Sequence, residues 1–233
     1  MNNLAIIPAR CGSKGIIDKN IKLLNGLPLM GYSIKAAIDS KMFSHVMVST
    51  DSQQYASVAR ECGAEVPFLR SEALAQDKSS SWDAVKEVIQ KYLELRIEFD
   101  TVTLLQPTSP LRDANDIQNA FKIFKEKEAN SVVSVCEVEH SPLWSNVLDK
   151  DYSMVHFAES IKMNANRQML PTYYRLNGAI YLVKISVLND IGNLYANHCY
   201  AYVMTQKKSV DIDSMDDFEY AEYLFNKKQL DCE

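Results

Sequence analysis

Short apolar or β-branched runs recur at residues 4–8, 45–49, 65–69, 101–106 and 131–138, and stretches with helical spacing lie between them. That alternation predicts βαβ units and a parallel sheet. In the first helical stretch, 29–40, Met30, Ile34, Ala37 and Ile38 fall on one stripe. A second helix is expected over 53–62, closed by Gly63, because glycine is favoured just past a helix end. Ser80-Ser81-Trp82-Asp83 has the form of a capping box before a third helix over 84–95. Residues 115–127 make a fourth, amphipathic through Ile117, Phe121 and Phe124.

After Val138 this rhythm breaks. Residues 139–174 carry no long helical stripe but hold Trp144, Tyr152, His156 and Phe157 among polar neighbours, the pattern of an inserted arm. Strand-like runs resume at 178–183 and 199–205, with a short strand at 209–213. Ser214-Met215-Asp216-Asp217 is a second capping-box form, opening a last helix from 215 to about 227. The expected fold is α/β: a Rossmann-like, mostly parallel sheet flanked by helices, built from 1–138 and 175–233, with the arm 139–174 inserted.

Composition narrows the class. The chain has 233 residues, enough for one or two domains, with 25 Lys and Arg against 30 Asp and Glu, a net charge of −5. That mildly acidic balance lacks the basic footprint of a nucleic-acid binder. With 47% apolar residues, 7 Gly and 7 Pro, disordered and fibrous classes do not fit. Met1-Asn2-Asn3 precedes only a short apolar run, so no signal peptide is expected, and no run approaches the length of a membrane span. Five scattered cysteines (Cys11, Cys62, Cys136, Cys199, Cys232) suit free thiols in a reducing cytoplasm better than disulfides or zinc.

Three stretches could carry chemistry. In Ile6-Ile7-Pro8-Ala9-Arg10-Cys11-Gly12-Ser13-Lys14-Gly15, continued by Asp18-Lys19-Asn20, a strand runs into a loop with Arg10, Lys14 and Lys19, and two glycines let backbone N–H groups approach an anion. Polyphosphate suits that loop, although it matches neither the P-loop nor the dinucleotide fingerprint, and a solvated, exposed basic loop is the alternative. In Val210-Asp211-Ile212-Asp213, strand alternation puts both carboxylates on one face, where they could hold Mg²⁺ together with substrate phosphates; a helix-capping role is the alternative. Leu104-Leu105-Gln106-Pro107-Thr108-Ser109-Pro110-Leu111-Arg112 places polar side chains at the carboxyl end of a strand, the edge where open α/β sheets bind ligands. Arg70, Asp77 and Ser81 follow another run in the same way, and Arg167 and Arg175 offer guanidinium groups to a carboxylate. The four histidines are isolated and Ser13 has no triad partners, so neither a histidine metal site nor a serine nucleophile is expected.

Together with Ser49-Thr50-Asp51 and Asn177-Gly178-Ala179-Ile180-Tyr181, these motifs occur in an order and spacing that resemble the bacterial CMP-sialic acid synthetases (acylneuraminate cytidylyltransferases) over nearly the whole chain. The resemblance implies an enzyme joining CTP to a nine-carbon 2-keto-3-deoxy sugar acid with release of pyrophosphate. By the same resemblance Arg10, Ser13, Lys14 and Lys19 hold the triphosphate, and Asn20, Arg70 and Ser81 meet cytosine and ribose. Gln106, Arg167, Arg175 and Tyr181 meet the sugar acid, Asp211 and Asp213 bind Mg²⁺, and Lys14, Lys19 and Asp211 are the catalytic set. The arm is similar to one that dimerises, which implies a homodimer. Relatives specific for N-acetylneuraminic acid often carry Lys where Trp144 follows Pro142-Leu143 here, so an indole in that place points to a legionaminic-type acid. Two rivals stand beside this reading: a cytidylyltransferase for the eight-carbon sugar acid of lipopolysaccharide, and a non-catalytic nucleotide-binding regulator.

Overall fold

The computed structural model describes residues 1–13, 15–71, 80–157, 170–188 and 194–230. Strand β1 (Asn3–Pro8) is apolar without alternation, and Leu4, Ala5, Ile6 and Ile7 have no exposed surface. Such a run marks a central strand covered on both faces. It lies between β4 (His45–Ser49) and β5 (Thr101–Leu104), parallel to both. Beyond β5 come β7 (Tyr174–Lys184), β6 (Ser131–Glu137) and β8 (Cys199–Met204), completing a six-stranded sheet in the order β4-β1-β5-β7-β6-β8. Only β7 runs against the others. The carboxyl ends of the five parallel strands and the amino end of β7 therefore share one edge.

Helices cover both faces. On one side α1 (Leu29–Ser40), α2 (Gln53–Glu61) and α4 (Ala114–Glu126) pack Met30, Ile34, Tyr55, Ile117 and Phe121 against Ala5 and Ile7. On the other, α3 (Ser81–Glu94) packs Val85, Val88 and Tyr92 against Leu4 and Ile6. Capping boxes start α3 at Ser80 and Asp83 and α4 at Asp113 and Asp116. The last helix, α5 (Met215–Leu230), begins where Ser214 and Asp217 exchange hydrogen bonds. Its Phe218 and Ala221 share a small core with Ile16, Leu24, Leu29 and Ile212.

Two expected strands are corrected. Residues 65–69 contribute a single bridge, Met47 to Glu65, and Pro67 two positions later has no N–H with which to continue it. Residues 209–213 are extended in their burial pattern but form no ladder, because their backbone is held by loops and side chains. One hairpin was not anticipated: β2 (Leu23–Leu24) and β3 (Leu27–Pro28) are joined by Asn25-Gly26, with φ of 46° and 79°. Both angles are positive, as a type I′ turn requires. The inserted stretch leaves the sheet after Glu137 and returns at Tyr174, residues that pair directly with each other. Among the described residues of the stretch, Pro142–Trp144 form a short 3₁₀ turn. No described helix is long and apolar enough to cross a membrane.

Candidate active site

The loop after β1 is fastened at both ends before it can face a ligand. The Cys11 N–H donates to Asp51 Oδ1 at 2.9 Å and its thiol to Oδ2 at 3.0 Å, tying the loop to the end of β4. The carboxylate beside it pushes the Cys11 thiol up. Asn20 is buried and its amide donates to the Arg10 carbonyl at 3.1 Å, closing the loop on itself. Tyr55 Oη donates to Asp18 Oδ1 at 3.1 Å, and burial pushes the phenol up. On the far side, Gly15 lies so close to residue 213 that a Cβ there would collide with the Asp213 carbonyl oxygen. Glycine at 15 is required by that approach.

Asp211 and Asp213 stand on the facing segment. Ile212 between them has no exposed surface, and its N–H donates to the Thr108 carbonyl at 2.9 Å. Anchoring the middle residue turns both flanking carboxylates the other way, so the alternation survives without a sheet ladder. Lys19 Nζ donates to the Ile212 carbonyl at 2.7 Å and to Asp213 Oδ1 at 3.2 Å. With its side chain 12% exposed, Lys19 is not the solvent-facing lysine of the alternative reading of this loop. Burial raises the Asp211 carboxyl above its ordinary value and the charge of Asp213 adds to this, while a Thr108 hydrogen bond, Lys19 and Arg175 oppose it.

Arg70 sits after the bridge at Glu65, its Nε on Ser49 Oγ at 3.1 Å and Nη2 on the Ser49 carbonyl at 3.0 Å. Burial lowers its pKa, offset in part by Asp51 and Glu87. Arg112, in contrast, is a structural residue. Only 1% exposed, it donates to the carbonyls of Ala179 and Gln106 and to Ser33 Oγ, and so fixes the backbone of Gln106. The Gln106 side chain then lies over Gly178, where a Cβ would come within 2.5 Å of its Oε1.

These elements enclose a cleft of about 420 Å³ at the carboxyl edge of the sheet. Arg10, Ser13, Lys19, Asn20, Arg70, Ser81, Gln106, Asp211 and Asp213, all expected from sequence, line it. Ser80, from the capping box, and Pro107 and Thr108, from the 104–112 stretch, line it too without having been given a role at the site, although Thr108 is the residue that engages Asp211. The amino end of α3 opens on the cleft through Ser80 and Ser81, where the helix dipole favours negative charge. Arg175 and Tyr181 are not among the lining residues. Arg175 spends Nη2 on the Ser209 carbonyl at 3.1 Å, and Tyr181 turns toward α3, meeting Trp82 edge to face at 6.0 Å. Lys14, Asp77 and Arg167 lie outside the described residues.

A ligand fitting this cleft would carry several negative charges at the β1 loop and a flat or hydroxylated body toward Gln106 and α3. Comparison with known proteins agrees. A family model described as Cytidylyltransferase matches residues 4–232. The chain is 38% identical to the N-acylneuraminate cytidylyltransferase of Escherichia coli over 97% of its own length, and spans about half, 52%, of that longer protein. It is 36% identical to the CMP-N,N'-diacetyllegionaminic acid synthase of Legionella pneumophila, covering 98% of both chains. Among solved structures, that of CMP:2-keto-3-deoxy-manno-octonic acid synthetase complexed with CTP superposes with a TM-score of 0.75 at 15% identity, over 98% of this chain and 100% of that one, a likeness of fold. The strand edge, the loop that follows β1 and the end-to-end family match lead to one conclusion: this chain belongs to the cytidylyltransferase family and is an enzyme of the nucleotidyltransferase class.

Proposed function

We propose that the enzyme joins CTP to a nine-carbon 2-keto-3-deoxy sugar acid of sialic or legionaminic type, giving the CMP-sugar and pyrophosphate. The observation that carries this reading is the meeting of Arg10, Lys19 and Arg70 with the Asp211 and Asp213 carboxylates across one cleft. Phosphoryl transfer asks mainly for positioning and charge neutralisation, which that set supplies. Relatives named for N-acylneuraminate and diacetyllegionaminic acid support the sugar class.

Arg10, Ser13 and Lys19, with Lys14 from the same loop, take the triphosphate; Asn20, Arg70 and Ser81 border the nucleoside. Gln106 reaches the sugar acid in the cleft, and exposed Arg175 offers its remaining guanidinium nitrogens to the sugar carboxylate, with Tyr181 and Arg167 completing the set. The anomeric hydroxyl of the sugar loses its proton to solvent and forms a bond to the α-phosphorus as the bond to the β-phosphate oxygen breaks, and pyrophosphate leaves with the electron pair. Asp211 and Asp213 fit Mg²⁺: both are hard oxygen donors on one side of their segment, and the charge of Asp213 raises the Asp211 carboxyl, which a divalent cation would oppose. Among the described residues no group of three or more His, Cys, Asp or Glu could hold a metal, so substrate phosphates would complete the shell. When bound, Mg²⁺ would neutralise phosphate charge and acidify the attacking hydroxyl. Pyrophosphate release from CTP, Mg²⁺ and a panel of sugar acids tests the reading. Turnover with a nine-carbon acid is expected; turnover only with the eight-carbon acid would overturn it.

Lys19 has a double role in this scheme, and Lys19→Met separates its parts. Loss of one phosphate contact should raise the KM for CTP by about tenfold or more. A hydrogen bond from a charged group contributes about 1.5–3 kcal/mol, so losing the bond to Ile212 should also lower the Tm by about 3–10 °C. Kinetics and a thermal melt on the same preparation check both, and an unchanged KM would remove Lys19 from the phosphate site.

The arm supports a homodimer. Val147, Tyr152 and Val155 are 74–87% exposed on one stretch of chain, an apolar surface that a second copy would cover. Light scattering should give twice the 26.4 kDa chain mass at micromolar concentration, and a monomer would exclude the dimer. Thiols without disulfide pairing at Cys11, Cys62, Cys136 and Cys199 suit a reducing cytoplasm as the setting.

A further inference from the structure

We propose that Asn177 is a positioning residue for the Asp211 and Asp213 pair, an inference that rests on reading the pair as the metal and phosphate site. The segment 209–213 carries those carboxylates yet, among the described residues, has no strand beside it. Something other than a ladder must hold it. The β6 and β7 register slips so that residues 177–180 bulge opposite the single residue Ser134, with Gly178 at φ 74° permitting the bend. Bulges re-aim side chains, and this one turns Asn177 into the interior at 1% exposure.

The two ends of its carboxamide do different work. Oδ1 accepts from Ser134 Oγ at 2.6 Å and from the Ala179 N–H at 3.3 Å, both within the bulge. Ser134 Oγ in turn accepts from the Ile180 N–H at 2.7 Å, so the bulge satisfies its own backbone. Nδ2 leaves the bulge and donates to Ser209 Oγ at 2.9 Å. That hydroxyl donates onward to the Thr205 carbonyl at 2.8 Å, and Arg175 holds the Ser209 carbonyl at 3.1 Å. Two residues of extended chain span about 7 Å, so a displacement at Ser209 is passed on to Asp211 before the next anchor, the Ile212 N–H on Thr108. Partners that orient a metal-binding carboxylate are worth about 10–100-fold in affinity.

Because the two ends are separable, so are the variants. Ser209→Ala removes the long-range link together with the hydroxyl's own bond to Thr205 and leaves the bulge intact; Ser134→Ala breaks only the bulge. The full chain is titrated with Mn²⁺ in the presence of CTP by electron paramagnetic resonance, alongside Mg²⁺ activation of turnover and a thermal melt. Ser209→Ala should weaken Mn²⁺ binding and raise the Mg²⁺ concentration for half activation by about tenfold. Its kcat should fall while the KM for CTP stays within about twofold of wild type, and Ser209→Thr, which keeps the hydroxyl, should restore both. Ser134→Ala should lower the Tm and leave Mn²⁺ binding unchanged. Asn177→Leu removes both ends and should combine the weaker Mn²⁺ binding of Ser209→Ala with the lower Tm of Ser134→Ala; if it fails to fold, Ser209→Ala decides alone. A lower Tm with unchanged Mn²⁺ binding in Ser209→Ala overturns the proposal. Asp211→Asn is the reference. If it loses Mn²⁺ while Ser209→Ala keeps it, only the positioning role falls; if it too keeps Mn²⁺, the metal reading falls and the proposal with it.

Discussion

Asp211→Asn should lower turnover by about 10²-fold or more while shifting the melting temperature by no more than a few degrees. The asymmetry follows from how the segment is built. Folding uses Ile212, which fills the small core with Leu24, Leu29 and Phe218, and whose N–H and carbonyl are both bonded. Asp211 contributes to the fold one hydrogen bond from Thr108, which an asparagine oxygen can still accept. What asparagine cannot supply is the charge. Burial and the neighbouring Asp213 already raise the Asp211 carboxyl, so its ionised form is held at a cost unless a cation sits beside it. Chelation by EDTA should therefore abolish turnover in the wild type, and added Mg²⁺ should restore it. Turnover near the wild-type rate in Asp211→Asn, measured as pyrophosphate release at saturating CTP, would sink the assignment of this carboxylate to the reaction.

Features set by local chemistry were legible in the sequence. Helix α1 and strand β4 fall on their expected bounds, since a stripe at helical spacing and a β-branched run bounded by polar residues are local signals. The Ser80–Asp83 box formed because both partners lie within one turn. Asn25-Gly26 is an equally local turn signal. What sequence pattern could not give were bonds between distant residues. In the sequence Lys19 sits in a loop with Lys14 and Lys22, and nothing local shows that its partner is the carbonyl of Ile212, far down the chain. Residues 209–213 alternate as a strand does, but whether a neighbour runs beside them is a tertiary matter, and Asn177 and Arg175 occupy that place. The cleft wall from Arg10 to Arg70 was legible as a set of residues through its motif order. Gln106 lines the cleft as well, whereas Arg175 and Tyr181 are drawn to Ser209 and Trp82 by contacts that no spacing announces.

The second large expected effect is on sugar choice, through Trp144. This residue ends the Pro142–Trp144 turn on the inserted stretch, is half-buried there, and is not among the residues lining the cleft of its own chain. On the dimer proposed above, the indole would meet substrate in the cleft of a second copy, and the prediction rests on that proposal. In that position an apolar face suits an acyl methyl, whereas an ammonium suits the hydroxyls of a sialic acid side chain. One changed contact of this kind is worth about 1–3 kcal/mol, or about 10–200-fold in kcat/KM. Legionaminic-type acids should be used at least as well as N-acetylneuraminic acid by the wild type, and Trp144→Lys should move the ratio of kcat/KM toward N-acetylneuraminic acid. A ratio rather than a rate is the right observable, because a weakened dimer would depress turnover on both sugars together and leave their quotient unchanged. If the quotient stays fixed in Trp144→Lys, the indole is an interface residue, as aromatic side chains often are, and N-acetylneuraminic acid becomes the preferred substrate class.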